Sequence, residues 1–323
     1  MSMAARRVNE AAVLKRYLAL QFDSSPYSFS IKSTASGSTY SVTDGKQTQA
    51  QPLAWVFGSG EFGQTFLYRQ NQDWFESEVS FYKRLGGLDI TTGHEADPHA
   101  SLADALGKRL RPADAQSCFQ CHTTYATHDG RLDAEHAVAG LGCEACHGPG
   151  KAHVSQMRAP ADAKGQPSAN ALTHASAPTL QLMDLSALSP VDSVDFCGAC
   201  HRTWADIAFS PARNLGVAVV RFQPYRLELS KCWGKNGDER ITCVACHDPH
   251  EPLEHNASAY DGRCLSCHAA GTPPIEHVSA KICPVSPARC TSCHMPKYNV
   301  ASMHGDFTDH WIRVVTPGEG FRQ

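Results

Sequence analysis

Twelve of the 14 cysteines form six Cys-x-x-Cys pairs, and histidine follows every pair at once. They are Cys118, Cys121 and His122; Cys143, Cys146 and His147; Cys197, Cys200 and His201; Cys243, Cys246 and His247; Cys264, Cys267 and His268; and Cys290, Cys293 and His294. Two thiols three positions apart can add to the vinyl groups along one edge of a haem. The next residue then brings an imidazole beneath the ring as an iron ligand. Paired cysteines also build zinc sites and iron–sulfur clusters, but neither needs histidine in the next position. Histidine makes up 17 of 323 residues, so its presence after all six pairs is not an accident of composition. The expected cofactor is the c-type haem (heme c), six per chain, with the six motif histidines as proximal ligands.

Each iron needs a second axial ligand or keeps that position open. The chain has six methionines, two of them at Met1 and Met3, so the supply favours bis-histidine ligation. The candidate distal ligands are His94, His153, His250, His304 and His310. Gly93-His94 sits where the N-terminal part of the chain meets the haem-bearing part. His153 follows a glycine-containing stretch, Gly148-Pro149-Gly150, in which the backbone can turn tightly. Pro249 disfavours continued helix in His247-Asp248-Pro249-His250, which turns His250 away from its own haem and toward a neighbour. His304 and His310 follow the last motif. A sixth partner would come from His128, His136 or His277, or be missing, and a haem lacking it would be a catalytic candidate. Arg202, Arg221, Arg226, Arg240 and Lys297 are candidates to contact haem propionates.

Two cysteines lie outside the motifs, Cys232 and Cys283. Haem attachment of this kind takes place on the oxidising side of a membrane, so a Cys232–Cys283 disulfide and a periplasmic or extracellular location are expected. Met1 to Phe22 lacks an uninterrupted apolar stretch with a small-residue cleavage site. Either a leader has been removed from this numbering or the start was assigned too far downstream.

The elements that must position these groups divide at about residue 100. All cysteines lie between Cys118 and Cys293. Before them, Tyr27–Ile31 and Ser38–Val42 alternate with period two, and Leu53–Phe57, Gln64–Gln70 and Trp74–Tyr82 are further strand candidates. Thr43-Asp44-Gly45 marks a turn, and Val8–Gln21 reads as a short amphipathic helix. The expectation is a small N-terminal antiparallel β unit with a helix over 1–100. A hexahaem core of short helices and loops wrapped around packed haems would span 101–323, with a Pro- and Ala-rich linker at 159–178. The motif starts are 25, 54, 46, 21 and 26 residues apart, which favours tight groups of haems one and two and of haems four to six. Charge is nearly balanced, 29 Lys and Arg against 32 Asp and Glu, and gives no argument for a nucleic-acid partner.

The stretch from Cys143 to Gly150 with His153, and His247-Asp248-Pro249-His250, resemble the cytochrome c-552/c-554 family, which includes the tetrahaem electron acceptor of hydroxylamine oxidoreductase. Cys293-His294-Met295-Pro296-Lys297, with His304 and Thr308-Asp309-His310, is similar to soluble multihaem relatives of that family. The likeness covers about residues 90 to 315. It implies that His153 and His250 each ligate a haem other than the adjacent one. Four haems are usual there and six motifs occur here, so the pairing does not transfer. The function expected is electron transfer between redox partner proteins, a donor and an acceptor. Two alternatives are a multihaem reductase acting on nitrite, hydroxylamine or a similar nitrogen compound at an open haem, and an oligomeric filament or membrane redox-complex subunit.

Overall fold

The computed structural model describes residues 4–94, 99–158, 182–234, 237–269, 283, 285–286, 288–316 and 318–323. The expected linker at 159–178, and His174 and His277, lie outside the described residues.

Period-two alternation folds the N-terminal part into a ten-stranded antiparallel sheet. Its strands are β1 (Arg6–Arg7), β2 (Ala19–Ser24), β3 (Tyr27–Thr34), β4 (Gly37–Thr43), β5 (Thr48–Phe57), β6 (Gly63–Gln70), β7 (Asp73–Ser77), β8 (Val79–Tyr82), β9 (Gly87–Ile90) and β10 (Gly107–Arg109). β2 to β7 pair in sequence order, and β10 closes on β7. Phe29, Ile31, Tyr40 and Val42 point to one face and form a core with Phe66, Tyr68, Val79, Phe81 and Leu106, the last directly after α2 (Leu102–Ala105). The helix expected over Val8–Gln21 is confined to α1 (Ala12–Arg16), because Ala19–Ser24 pairs along its whole length with Tyr27–Lys32. The strand expected over Trp74–Tyr82 breaks at Glu78, so that β6 pairs with β7 at one end and with β8 at the other. The sheet also runs past residue 100. β10 lies so close to β7 that a Cβ on Gly107 would collide with the carbonyl of Glu76.

A β-bulge between Leu53 and Trp55 gives the sheet its second buried face. With strict alternation these two residues would share a face. The extra residue sends Leu53 into the first core and turns Trp55 and Phe57 to the other side. There Phe119 of α3 (Pro112–His122) is fully buried, 5.2 Å from Trp55, 5.1 Å from Phe57 and 5.3 Å from Trp74 between ring centroids. The first haem motif is therefore built on the sheet itself.

Beyond α3 the elements are short. Two small ladders, β11 (Thr123–Thr124) with β14 (Val138–Ala139) and β12 (Thr127–His128) with β13 (Arg131–Leu132), precede α4 (Glu144–His147) and α5 (Lys151–Met157). Then come α6 (Pro190–His201), α7 (Trp204–Ala208), α8 (Gln223–Glu228), α9 (Cys243–Cys246), α10 (Asp261–His268) and α11 (Cys290–His294). A hairpin of β15 (Lys297–Val300) and β16 (Gly305–Thr308) follows. Phe307 stacks on Phe62 at 5.1 Å, which docks this hairpin on the N-terminal unit. Helices and loops thus make up only part of the molecule, and its regular structure is divided between antiparallel strands and helices. Among the described residues after 140, the buried apolar side chains are Val194, Ile207, Val219, Val220, Phe222, Leu227 and Val300. That is a thin polypeptide core for so many residues, and it leaves the interior to be filled by something else.

Candidate haem-binding site

Each motif is placed at or within a turn of helix. Residues three and four apart share a helix face, so the two sulfurs and the following imidazole emerge together. Cys118–His122 and Cys197–His201 end the longest helices, α3 and α6, each started by proline, and Ser189 caps α6 by accepting from the Asp192 N–H. The other four motifs occupy α4, α9, α10 and α11, with Cys143 and His247 as the flanking residues of their helices.

The motifs come together in space. Cys121 and Cys200 are within hydrogen-bonding reach of each other, as are Cys197 and Cys243, and Cys264 and Cys290. The third motif thus adjoins the first and the fourth, and the fifth adjoins the sixth. The sequence spacings alone grouped the first with the second. Among the described residues, no three or more His, Cys, Asp or Glu side chains converge to hold a bare metal ion.

An imidazole ligates iron through one nitrogen while the other holds its orientation, commonly by donating to a carbonyl or carboxylate. Several histidines have this arrangement, with Nδ1 engaged. His147 Nδ1 lies 3.1 Å from the Met183 carbonyl, His294 Nδ1 2.9 Å from that of Arg313, and His310 Nδ1 3.0 Å from that of Thr308. His250 Nδ1 is 3.2 Å from the Asp248 carboxylate. Burial pushes His201 and His247 below the usual imidazole range and takes His310 down to about 4, although the Thr308 carbonyl opposes it. These rings are therefore neutral, the form that binds a metal. Gln223 hydrogen-bonds His201, a partner with no signal in the sequence.

Two pairs of imidazoles face each other. A ring nitrogen lies about 2 Å from a bound metal and about 1 Å from its own ring centroid, so two imidazoles across one iron have centroids about 6 Å apart. His147 and His250 are 6.1 Å apart with planes at 8°, and His247 and His310 are 6.3 Å apart at 42°. The donor set fits a haem iron in both cases. Among the described residues, Trp233 Nε1 is a buried donor without a protein acceptor, suited to a cofactor that bears carboxylates.

The other candidates fall elsewhere. His94 is gripped by Glu78 through Nδ1 at 2.8 Å and by Glu76 through Nε2 at 3.1 Å, with its side chain 4% exposed. Burial alone would depress it, but the two glutamates outweigh burial and raise it to about 9. With both ring nitrogens engaged by carboxylates, His94 as placed presents no free nitrogen to an iron. The signal missed was the pair of acidic residues at the end of β7 and at the break that follows it. His304 bonds Asp89 through Nε2 at 2.9 Å and packs on Tyr82 at 4.6 Å. His153 is exposed on α5. His128 and His136 pair with Asp129 and Asp133 at the surface. The expected disulfide is not formed: Cys232 and Cys283 are both free. Cys232 is half-buried near Cys246 and Cys267, whereas Cys283 is exposed. Of the expected propionate contacts, Arg226 and Arg240 are committed to Asp309 and Asp238.

Comparison with known proteins agrees with this chemistry. Residues 88–148, which hold the first two motifs, match the family described as cytochrome c554 and c-prime. The multiheme cytochrome MtrA of Shewanella baltica (strain OS185) is 26% identical over 201 residues, covering 50% of this chain and 55% of that protein. The chain thus spans just over half the length of the curated relative it matches. No solved structure matches. The repeated attachment motifs, the facing imidazoles and these two similarities support a multihaem c-type cytochrome that resembles the cytochrome c554 family.

Proposed function

We propose that this chain is an electron-transfer protein that carries six c-type haems, mostly bis-histidine, and passes electrons between a donor and an acceptor protein in the periplasm or at the cell surface. The observation that carries this reading is the contact between cysteines of different motifs, Cys121 with Cys200, Cys197 with Cys243 and Cys264 with Cys290. Each attachment cysteine holds a haem edge, so touching cysteines bring haem edges together. When bound, haem supplies one-electron ferric/ferrous chemistry, with no bond made or broken in the polypeptide. The chain's part is to fix the spacing, supply neutral imidazoles and limit access of water. His147 with His250, and His247 with His310, are the ligand pairs of the second and fourth haems. His122, His201, His268 and His294 are the proximal ligands of the others, and His153 and His304 remain distal candidates. The thin apolar core after residue 140 fits helices and loops wrapped around packed cofactors.

Two measurements test the reading. Intact mass of the native protein gives the number of covalent haems, and six are expected. Paramagnetic resonance of the oxidised protein then reports the axial ligands, and low-spin bis-histidine signals without cyanide or nitrite binding are expected. A high-spin haem that binds and turns over nitrite or hydroxylamine would overturn the carrier reading in favour of a reductase.

A further inference from the structure

Arg226 and Asp309 are both fully buried, 83 positions apart, and joined by a two-pronged ion pair with Nε–Oδ1 at 2.8 Å and Nη2–Oδ2 at 2.9 Å. Arg313 adds a third bond, Nη1 to Asp309 Oδ2 at 2.8 Å, and the Trp311 backbone N–H donates to Oδ1 at 3.0 Å. Both guanidinium groups lie on the ring of Trp311, at 5.1 Å and 4.6 Å. A buried ion pair is a poor source of stability, since the lost hydration offsets the attraction. What the fork of Arg226 and the planar carboxylate supply is geometry, a fixed position and orientation for the residue that carries the carboxylate.

That residue immediately precedes His310. The segment it anchors touches two motif histidines at once. His310 faces His247, while the Arg313 carbonyl receives Nδ1 of His294 at 2.9 Å and the Arg313 N–H returns a bond to the His294 carbonyl at 3.2 Å. Asp309 N–H also donates to the Pro296 carbonyl at 2.8 Å, two residues past His294. Arg226 stands one turn along α8 from Gln223, the partner of His201.

We infer that the Arg226–Asp309–Arg313 cluster is a shared positioning device that sets the axial imidazoles of two haems together, His310 over the fourth and His294 under the sixth. The inference rests on the proposed ligand roles of His310 and His294. Neither arginine contacts iron; both act through the histidines.

The discriminating variant replaces the pair by apolar groups, Arg226→Met with Asp309→Leu in one chain. Such exchanges leave stability about unchanged in other buried pairs, so haem content and circular dichroism are expected to match the unaltered protein. The oxidised variant is expected to show a new high-spin signal, to bind one more cyanide per chain, and to shift the potential of a second haem. Unchanged low-spin signals with no cyanide uptake overturn the inference. Should this variant lose haem, Arg226→Lys decides instead, because lysine keeps the charge but not the fork. A high-spin fraction there supports positioning, and an unaltered spectrum overturns it. His310→Ala separates the two levels. If it leaves every haem low-spin, the ligand reading fails. If it opens one haem while the pair variant opens none, only the positioning role fails.

Discussion

The imidazoles of His247 and His310 face each other at a centroid separation of 6.3 Å, although they stand 63 positions apart in the chain. His310 reaches that position on a segment held by Ser230, whose hydroxyl donates to the His310 carbonyl at 3.3 Å and accepts from the Ile312 N–H at 2.8 Å. Burial holds the His310 imidazole well below its ordinary range, which keeps the ring in the neutral form that can bind a metal.

Replacing His310 by methionine is expected to raise the potential of one haem, because thioether ligation favours ferrous iron relative to bis-histidine. A potentiometric titration followed in the visible spectrum reads this as one component moving to higher potential while the others stay. A titration that superimposes on that of the unaltered protein argues against His310 as a ligand.

Phe119→Ala removes the ring that joins the first haem helix to the sheet. Truncating a buried phenylalanine costs about 3–5 kcal/mol, and the contacts with Trp55, Phe57 and Trp74 place this site at the upper end. The expected outcome is a lower unfolding temperature in the holoprotein with unchanged haem content. A loss under about 1 kcal/mol would mean that the helix is held by its haem rather than by the sheet.

The grip of Glu76 and Glu78 on His94 makes the N-terminal sheet sensitive to alkali. The folded value of about 9 lies above the ordinary imidazole value of 6.5. The stabilisation is therefore fully present below pH 6.5 and is lost as pH rises through 9. A shift of this size corresponds to about 3 kcal/mol. Denaturant midpoints measured between pH 6 and 10 should fall across that window, and His94→Gln should flatten the profile. Equal slopes in both proteins would remove His94 as the cause.

Cys283 and Cys232 are expected to differ sharply toward an alkylating reagent. Cys283 is exposed, and the backbone N–H groups of Ser286 and Val285 lower its thiol from the ordinary value. Burial raises that of Cys232. Thiolate is the reactive form, so iodoacetamide on the native protein should mark Cys283 first and Cys232 only after unfolding. Peptide mapping by mass spectrometry separates the two, and recovery of a Cys232–Cys283 bridged peptide would show that the free thiols do not persist in solution.

The sequence by itself determined the haem chemistry, because attachment is a local affair. Two sulfurs and an imidazole at positions one, four and five share one turn of helix whatever the rest of the chain does, so the six motifs were legible residue by residue. The antiparallel strands were legible for the same reason, since period two is a property of neighbours. Only the tertiary structure decided which histidine faces which. His250 reaches His147 and His310 reaches His247 across long stretches of chain, whereas His94 is claimed by carboxylates 16 and 18 positions earlier, at and just past the end of β7. The bulge that turns Trp55 toward Phe119 and the joining of Arg226 to Asp309 are likewise consequences of packing. No pattern of adjacent residues encodes such contacts, because their energy comes from groups that meet only once the chain has closed on itself.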